Sequence, residues 1–145
     1  MQLKIIVALT LVVLPILSGQ PPTGLKRVPP PESVTLPVVL MGPHTAALGM
    51  RFYTGDMFPP EYKNGILVAR HGSWNRTQKA GYDVVFVTAD PKGGNANVAP
   101  FMTGFLDSSA NTFWGRPADV LQLPDGSVLV SDEQNGAIYR VSYGQ

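Results

Sequence analysis

Glycine and proline set the limits on what this chain can fold into, with 15 and 14 copies among 145 residues, one position in five. Proline fixes φ and lacks a backbone donor, and glycine admits positive φ. That density breaks long helices and favours short strands joined by tight turns. The apolar runs agree. Strands are predicted over Gly49–Tyr53, Ile66–Arg70, Tyr82–Thr88, Ala118–Leu123, Ser127–Ser131 and Ala137–Ser142. Pro124-Asp125-Gly126 and Asn135-Gly136 supply tight-turn chemistry, so the last three strands read as a meander. The fold class expected is all-β.

The first residues read as an address. Met1 to Lys4 give a short basic start, and Ile5 to Leu17 an apolar run broken only by Thr10 and Pro15. That run is shorter than the roughly 20 residues a helix needs to cross a bilayer. Ser18, Gly19 and Gln20 follow as small or polar residues. Residues 1–19 are therefore predicted to be a secretory signal peptide cleaved near Gly19, making the protein periplasmic or extracellular with no transmembrane anchor. A buried strand or a membrane anchor is the competing reading. Residues 20–37 hold Pro21, Pro22, Pro29, Pro30, Pro31 and Pro37 and read as a Pro-rich linker, leaving 38–145 as the folded β part.

Charge and cysteine remove several function classes. Apart from Lys4, acidic and basic side chains balance, so nucleic-acid binding loses its electrostatic drive. The absence of cysteine excludes disulfides, thiolate catalysis and Cys-ligated zinc or iron–sulfur centres. His71-Gly72-Ser73 lacks the spacing of a nucleophile elbow. Asp132 to Gly136 lacks the alternating ligands of a calcium loop and reads as a hairpin turn. Asn75-Arg76-Thr77 is a glycosylation sequon only in a eukaryotic secretory pathway.

An internal similarity gives the strands an architecture. Gly65-Ile66-Leu67-Val68 followed by Gly81-Tyr82-Asp83-Val84-Val85 matches Gly126-Ser127-Val128-Leu129-Val130 followed by Gly136-Ala137-Ile138-Tyr139. Repeated antiparallel units of this kind suggest blades of a β-propeller. A closed propeller needs about four to eight blades, and residues 38–145 supply about two. Two blades alone leave apolar faces and strand edges open to self-association, so the chain is either part of something larger or folds as a different and smaller β assembly.

Three motifs carry a family resemblance. They are Gly42-Pro43-His44-Thr45-Ala46-Ala47-Leu48-Gly49-Met50-Arg51-Phe52-Tyr53-Thr54-Gly55, His71-Gly72-Ser73-Trp74-Asn75-Arg76, and Gly115-Arg116-Pro117-Ala118-Asp119-Val120. Asp125 to Asp132 and Ile138 to Tyr143 close the pattern. Together, from His44 to Tyr143, they resemble the C-terminal part of the glucose/sorbosone dehydrogenase family, most closely its L-sorbosone dehydrogenase-like branch. The resemblance implies a secreted oxidoreductase with a six-bladed propeller that uses pyrroloquinoline quinone (PQQ) to oxidise a sugar hydroxyl or aldehyde. It also implies that the blades bearing the general-base histidine and the calcium ligands precede this part. The chain then reads as a truncated or internally deleted member of the family, or a mis-called gene, inactive alone, with no catalytic or metal residue assigned. The alternatives are a non-catalytic exported β module that binds carbohydrate or a protein partner, and a remnant without a role.

The candidate cofactor-binding residues are Arg116, Arg76, His71 and Trp74. The quinone's carboxylates call for guanidinium, whose planar fork pairs bidentately. By resemblance, Arg116 holds the first position of an Arg-x-Arg pair and Ala118 stands at the second. Arg76 is the candidate substitute for a cofactor-binding lysine, since no lysine lies between Gly65 and Thr77. Trp74 reads either as a ring that stacks on sugar or quinone or as packing between blades. His71 reads as a proton acceptor or as a hydrogen-bonded loop histidine, and His44 is placed near the same channel.

Overall fold

The computed structural model describes residues 31–144, so the predicted leader and most of the linker lie outside the described residues. Strands β1 (Ala47–Phe52), β2 (Ile66–Arg70), β3 (Asp83–Thr88) and β4 (Asn97–Met102) form one antiparallel sheet in chain order. A short ribbon of β5 (Leu106–Asp107) and β6 (Thr112–Phe113) leads to a second sheet. That sheet is the expected meander of β7 (Pro117–Gln122), β8 (Val128–Asp132) and β9 (Ala137–Val141). Among the described residues the one helical feature is the 3-10 turn Pro60–Tyr62. The all-β expectation holds.

Alternation along the strands explains the packing. Leu67 and Ala69 of β2 and Val84 and Phe86 of β3 face the second sheet, meeting Val120, Val128 and Val130 with Tyr53 and Phe58. Ile66, Val68, Val85 and Val87 point the other way, where Val39 and Met41 cover part of them. β2 and β3 are thus apolar on both faces, as their uninterrupted runs required. Burying each such side chain contributes about 1.5–3 kcal/mol relative to exposure.

The two sheets meet at their edge strands. β1 ends one sheet and β7 ends the other, and they lie against each other with β2 behind. Gly49 makes that approach possible: a Cβ there would sit 2.5 Å from the Asp119 Cα. The join is fastened by Tyr53, fully buried, whose hydroxyl donates to the Gly126 carbonyl at 2.9 Å and accepts the N–H groups of Met57 and Phe58 at 3.1 Å.

Sequence reasoning missed β4, β5 and β6. β4 contains Pro100, which a central strand excludes, but β4 is an edge and carries a register irregularity opposite Val84 and Val85. β5 and β6 have two residues each, too few to show alternation. β1 begins at Ala47, ahead of the predicted Gly49, and leaves Tyr53 outside the strand to act as the fastener.

Candidate functional site

β1 and β7 begin at the same end of the molecule, beside the loop that leaves β2. The backbone N–H of His71 donates to the Ala46 carbonyl and that of Gly72 to the Thr45 carbonyl, both at 2.9 Å. The His71 Nδ1 lies 3.1 Å from the Pro117 carbonyl and Nε2 lies 3.0 Å from the Glu133 carboxylate. Both ring nitrogens face acceptors of this chain. His71 therefore ties the first sheet to the second, in the manner of a hydrogen-bonded loop histidine.

Arg116 stands one residue before β7. Its guanidinium donates from Nε to the His71 carbonyl and from Nη2 to the Gly72 carbonyl, each at 3.3 Å. It also lies 5.9 Å from the Tyr82 ring centroid and 5.8 Å from that of Phe113, two rings stacked 4.5 Å apart. Tyr82 is buried at a φ of 63°, unusual for an aromatic residue, and its hydroxyl donates to the Ser73 carbonyl. Gly72, at φ 98°, is required beneath it, because a Cβ would fall 2.5 Å from the Tyr82 ring.

The backbone of Arg116 is fixed by Asp132, a residue singled out only as part of a turn. Asp132 is 2% exposed. Its Oδ1 accepts the N–H of Arg116 at 2.8 Å and of Gln134 at 3.0 Å. Its Oδ2 accepts from the Asn135 amide at 2.7 Å and the Tyr139 hydroxyl at 3.1 Å. Burial alone would raise its pKa, but the bonds from Arg116, Asn135 and Tyr139 outweigh it and hold the carboxyl below its ordinary value. Burial first, and then the Asp132 carboxylate, push the Tyr139 hydroxyl upward.

Arg76 belongs to the same end. Its Nη1 donates to the Pro43 carbonyl at 3.0 Å, in a segment where Gly42, His44 and Ala46 all have positive φ, at 83°, 59° and 48°. Thr45, buried within it, donates to the Met41 carbonyl at 3.1 Å. Left-handed backbone at His44 and Ala46 is strained, at about 1–3 kcal/mol each, and leaves the His44 side chain exposed at the rim. Trp74 projects from the neighbouring loop, 89% exposed. Among the described residues little covers Trp74.

The structure thus brings Arg116, His71 and Arg76 to one end, with Trp74 on the same loop. Ala118 contributes no charge there. Arg116 spends two of a guanidinium's five N–H groups on carbonyls and Arg76 one, so both retain donors. Among the described residues no group of three His, Asp or Glu side chains could hold a metal ion. Asp132, Tyr82 and Thr45, which position these groups, were missed because each reads in sequence as an ordinary turn or strand residue.

A family model described as TrAA12-like matches residues 31–143, spanning both sheets and the loops between them. The chain belongs to the TrAA12-like family. Among curated relatives, a Borreliella burgdorferi protein of uncharacterised role is 44% identical over 101 residues, covering 69% of this chain and 26% of its own. The pyrroloquinoline quinone-dependent pyranose dehydrogenase of Coprinopsis cinerea is 31% identical over 122 residues, covering 71% of this chain and 16% of its own. This TrAA12-like chain therefore spans 26% and 16% of the length of these two relatives. The calcium structure of a Trichoderma reesei enzyme of carbohydrate-active enzymes family AA12 superposes with a TM-score of 0.53 at 20% identity, over 67% of this chain and 24% of that one. At that identity the likeness speaks for the fold. Relationship to a PQQ-dependent dehydrogenase, expected from the motifs, is thereby shown.

Proposed function

We propose that this chain forms the quinone-holding wall of a PQQ-dependent sugar dehydrogenase, built from two sectors of a β-propeller. The observation that carries the reading is that Arg76 bonds the Pro43 carbonyl and Arg116 the His71 and Gly72 carbonyls, on two segments joined by the His71 and Gly72 N–H bonds to Ala46 and Thr45. The quinone is a tricarboxylate, and each arginine retains N–H donors that no carbonyl occupies, so the residues present fit an anionic group. Arg116 and Arg76 would hold carboxylates and Trp74 would lie against the ring system. When bound, the quinone supplies the two-electron acceptor for oxidation of a sugar hydroxyl or aldehyde.

The chain's own residues do the holding and the orienting. Asp132 fixes the Arg116 backbone, Tyr82 and Phe113 lie beside its guanidinium, and His71 ties β7 to β2. His71 is engaged on both nitrogens and is poorly placed to accept a substrate proton. Turnover in this reading needs a base and a calcium site from elsewhere. We further read the chain as exported, and as able to self-associate through the open edges β4 and β9. The test is an equilibrium titration of the full chain with PQQ. Saturable binding supports the reading, and its absence at millimolar quinone overturns it.

A second reading, an exported module that binds carbohydrate without catalysis, draws on the exposed Trp74. Binding of a neutral sugar that PQQ does not displace would favour it.

A further inference from the structure

The loop that carries Trp74 and Arg76 is closed at its base and clamped from outside at its tip. At the base the Ser73 N–H donates to the Ala80 carbonyl at 2.9 Å, and the Ser73 hydroxyl accepts the Ala80 N–H at 3.2 Å. Those bonds fix the backbone beside Trp74. Past Arg76 the chain runs outside any strand, and the partner it finds is a side chain from the β5–β6 ribbon. Asn111 Nδ2 donates to the Thr77 carbonyl at 2.7 Å, and its Oδ1 accepts the Lys79 N–H at 2.9 Å. A side-chain amide offers a donor and an acceptor as a peptide group does, so Asn111 bonds residues 77 and 79 as a neighbouring strand would.

The ribbon presents that amide in a fixed place. Asp107 caps the turn between β5 and β6, its Oδ1 accepting the N–H groups of Ser109 at 2.9 Å and Ala110 at 3.0 Å. Asn111 then takes a φ of 54°, in the left-handed region where asparagine is enriched. Two residues on, the Phe113 ring lies 5.8 Å from the Arg116 guanidinium and stacks on Tyr82. One short ribbon therefore touches both arms of the candidate site, the Arg76 loop through Asn111 and Arg116 through Phe113. Without Asn111, the tie left at the tip among the described residues is Arg76's own bond to the Pro43 carbonyl, made by the group that would hold a carboxylate.

We propose that Asn111 is a positioning residue for quinone binding, setting the Arg76 backbone relative to Arg116 so that one ligand engages both. The inference rests on the quinone reading and extends it to a residue that touches no ligand.

The test is a double-mutant cycle on PQQ binding by the full chain, using wild type, Asn111→Gly, Arg76→Gln and the double variant, with melting curves alongside. Glycine keeps the positive φ and removes the clamp. The expected result is binding at least about fivefold weaker in Asn111→Gly than in wild type, but less than about twofold weaker when residue 76 is already glutamine, because the clamp acts through that arginine. Hydrogen exchange on unliganded wild type reads the clamp without any variant. The Lys79 amide should exchange at least about tenfold more slowly than the Gln78 amide once intrinsic rates are removed, since only the former is held by Asn111. No PQQ binding by wild type removes the quinone reading and this inference with it. Where wild type binds, the inference alone is overturned by equal binding to Asn111→Gly, by an equal loss in both backgrounds, or by a Lys79 amide that exchanges as fast as that of Gln78.

Discussion

The Asp132 carboxylate accepts the backbone N–H of Arg116 at 2.8 Å, joining the hairpin turn after β8 to the residue that enters β7. Four further bonds, from the Gln134 and Asn135 N–H groups, the Asn135 amide and the Tyr139 hydroxyl, end on the same buried carboxylate. Asp132→Ala would leave several donors unsatisfied in the interior and should cost about 2–4 kcal/mol in urea unfolding.

The same residue fixes an acid limit. Its folded pKa is depressed, so ionised Asp132 contributes stability above its unfolded value near 3.8, and that contribution is lost as pH falls through the lower folded value. Unfolding free energy should drop more steeply below about pH 4 in wild type than in Asp132→Asn. Parallel pH profiles for the two proteins would show that Asp132 is not the responsible group.

Tyr53 offers a second test of the join between the sheets. Tyr53→Phe removes the donor to Gly126 and the acceptor for Met57 and Phe58 while preserving ring volume. The expected loss is about 1–3 kcal/mol by denaturant unfolding.

Gly49→Ala probes the same contact by crowding it. A Cβ would fall 2.1 Å from the Asp119 carboxylate oxygen and 2.5 Å from its Cα, so β1 and β7 must separate. We expect destabilisation of about 1–3 kcal/mol and faster amide exchange at β1 and β7, with β3 and β4 little affected.

Trp74 separates ligand contact from folding. At 89% exposure its replacement by alanine should change stability by less than about 0.5 kcal/mol. If it lies against a bound ring, the same change weakens PQQ binding several-fold. A large stability loss would place Trp74 in the structure and remove it from the site.

The chain alone is expected to give no dye reduction with PQQ, calcium and an aldose. Its two histidines are His71, held by Pro117 and Glu133, and His44 on the exposed rim. Measurable turnover would show that these residues include a working base.

What the sequence revealed follows from how each feature is encoded. β2 and β3 bury apolar runs, and the turns on either side of β8 carry Gly126 and Gly136 at positive φ, so strand and turn signals are plain there. β4 was hidden because Pro100 is tolerated only at an edge, and edge position is a property of the assembled sheet. Arg116 and Arg76 were recognisable from their motifs. Their convergence was not, because it depends on carbonyls of Pro43, His71 and Gly72 that local pattern does not display. The tie between Asp132 and Arg116 was equally invisible, being a side-chain bond between residues 16 positions apart at the two ends of the β7–β8 hairpin.

The most direct measurement of the central claim is a PQQ titration comparing wild type, Arg76→Gln and Arg116→Lys, followed by tryptophan fluorescence, with melting curves recorded alongside. The account predicts saturable quenching in wild type and at least about tenfold weaker binding in Arg76→Gln at unchanged stability, with Arg116→Lys also weakened because a lysine lacks the fork. Identical titration curves for all three proteins, or no saturation in wild type, would contradict it.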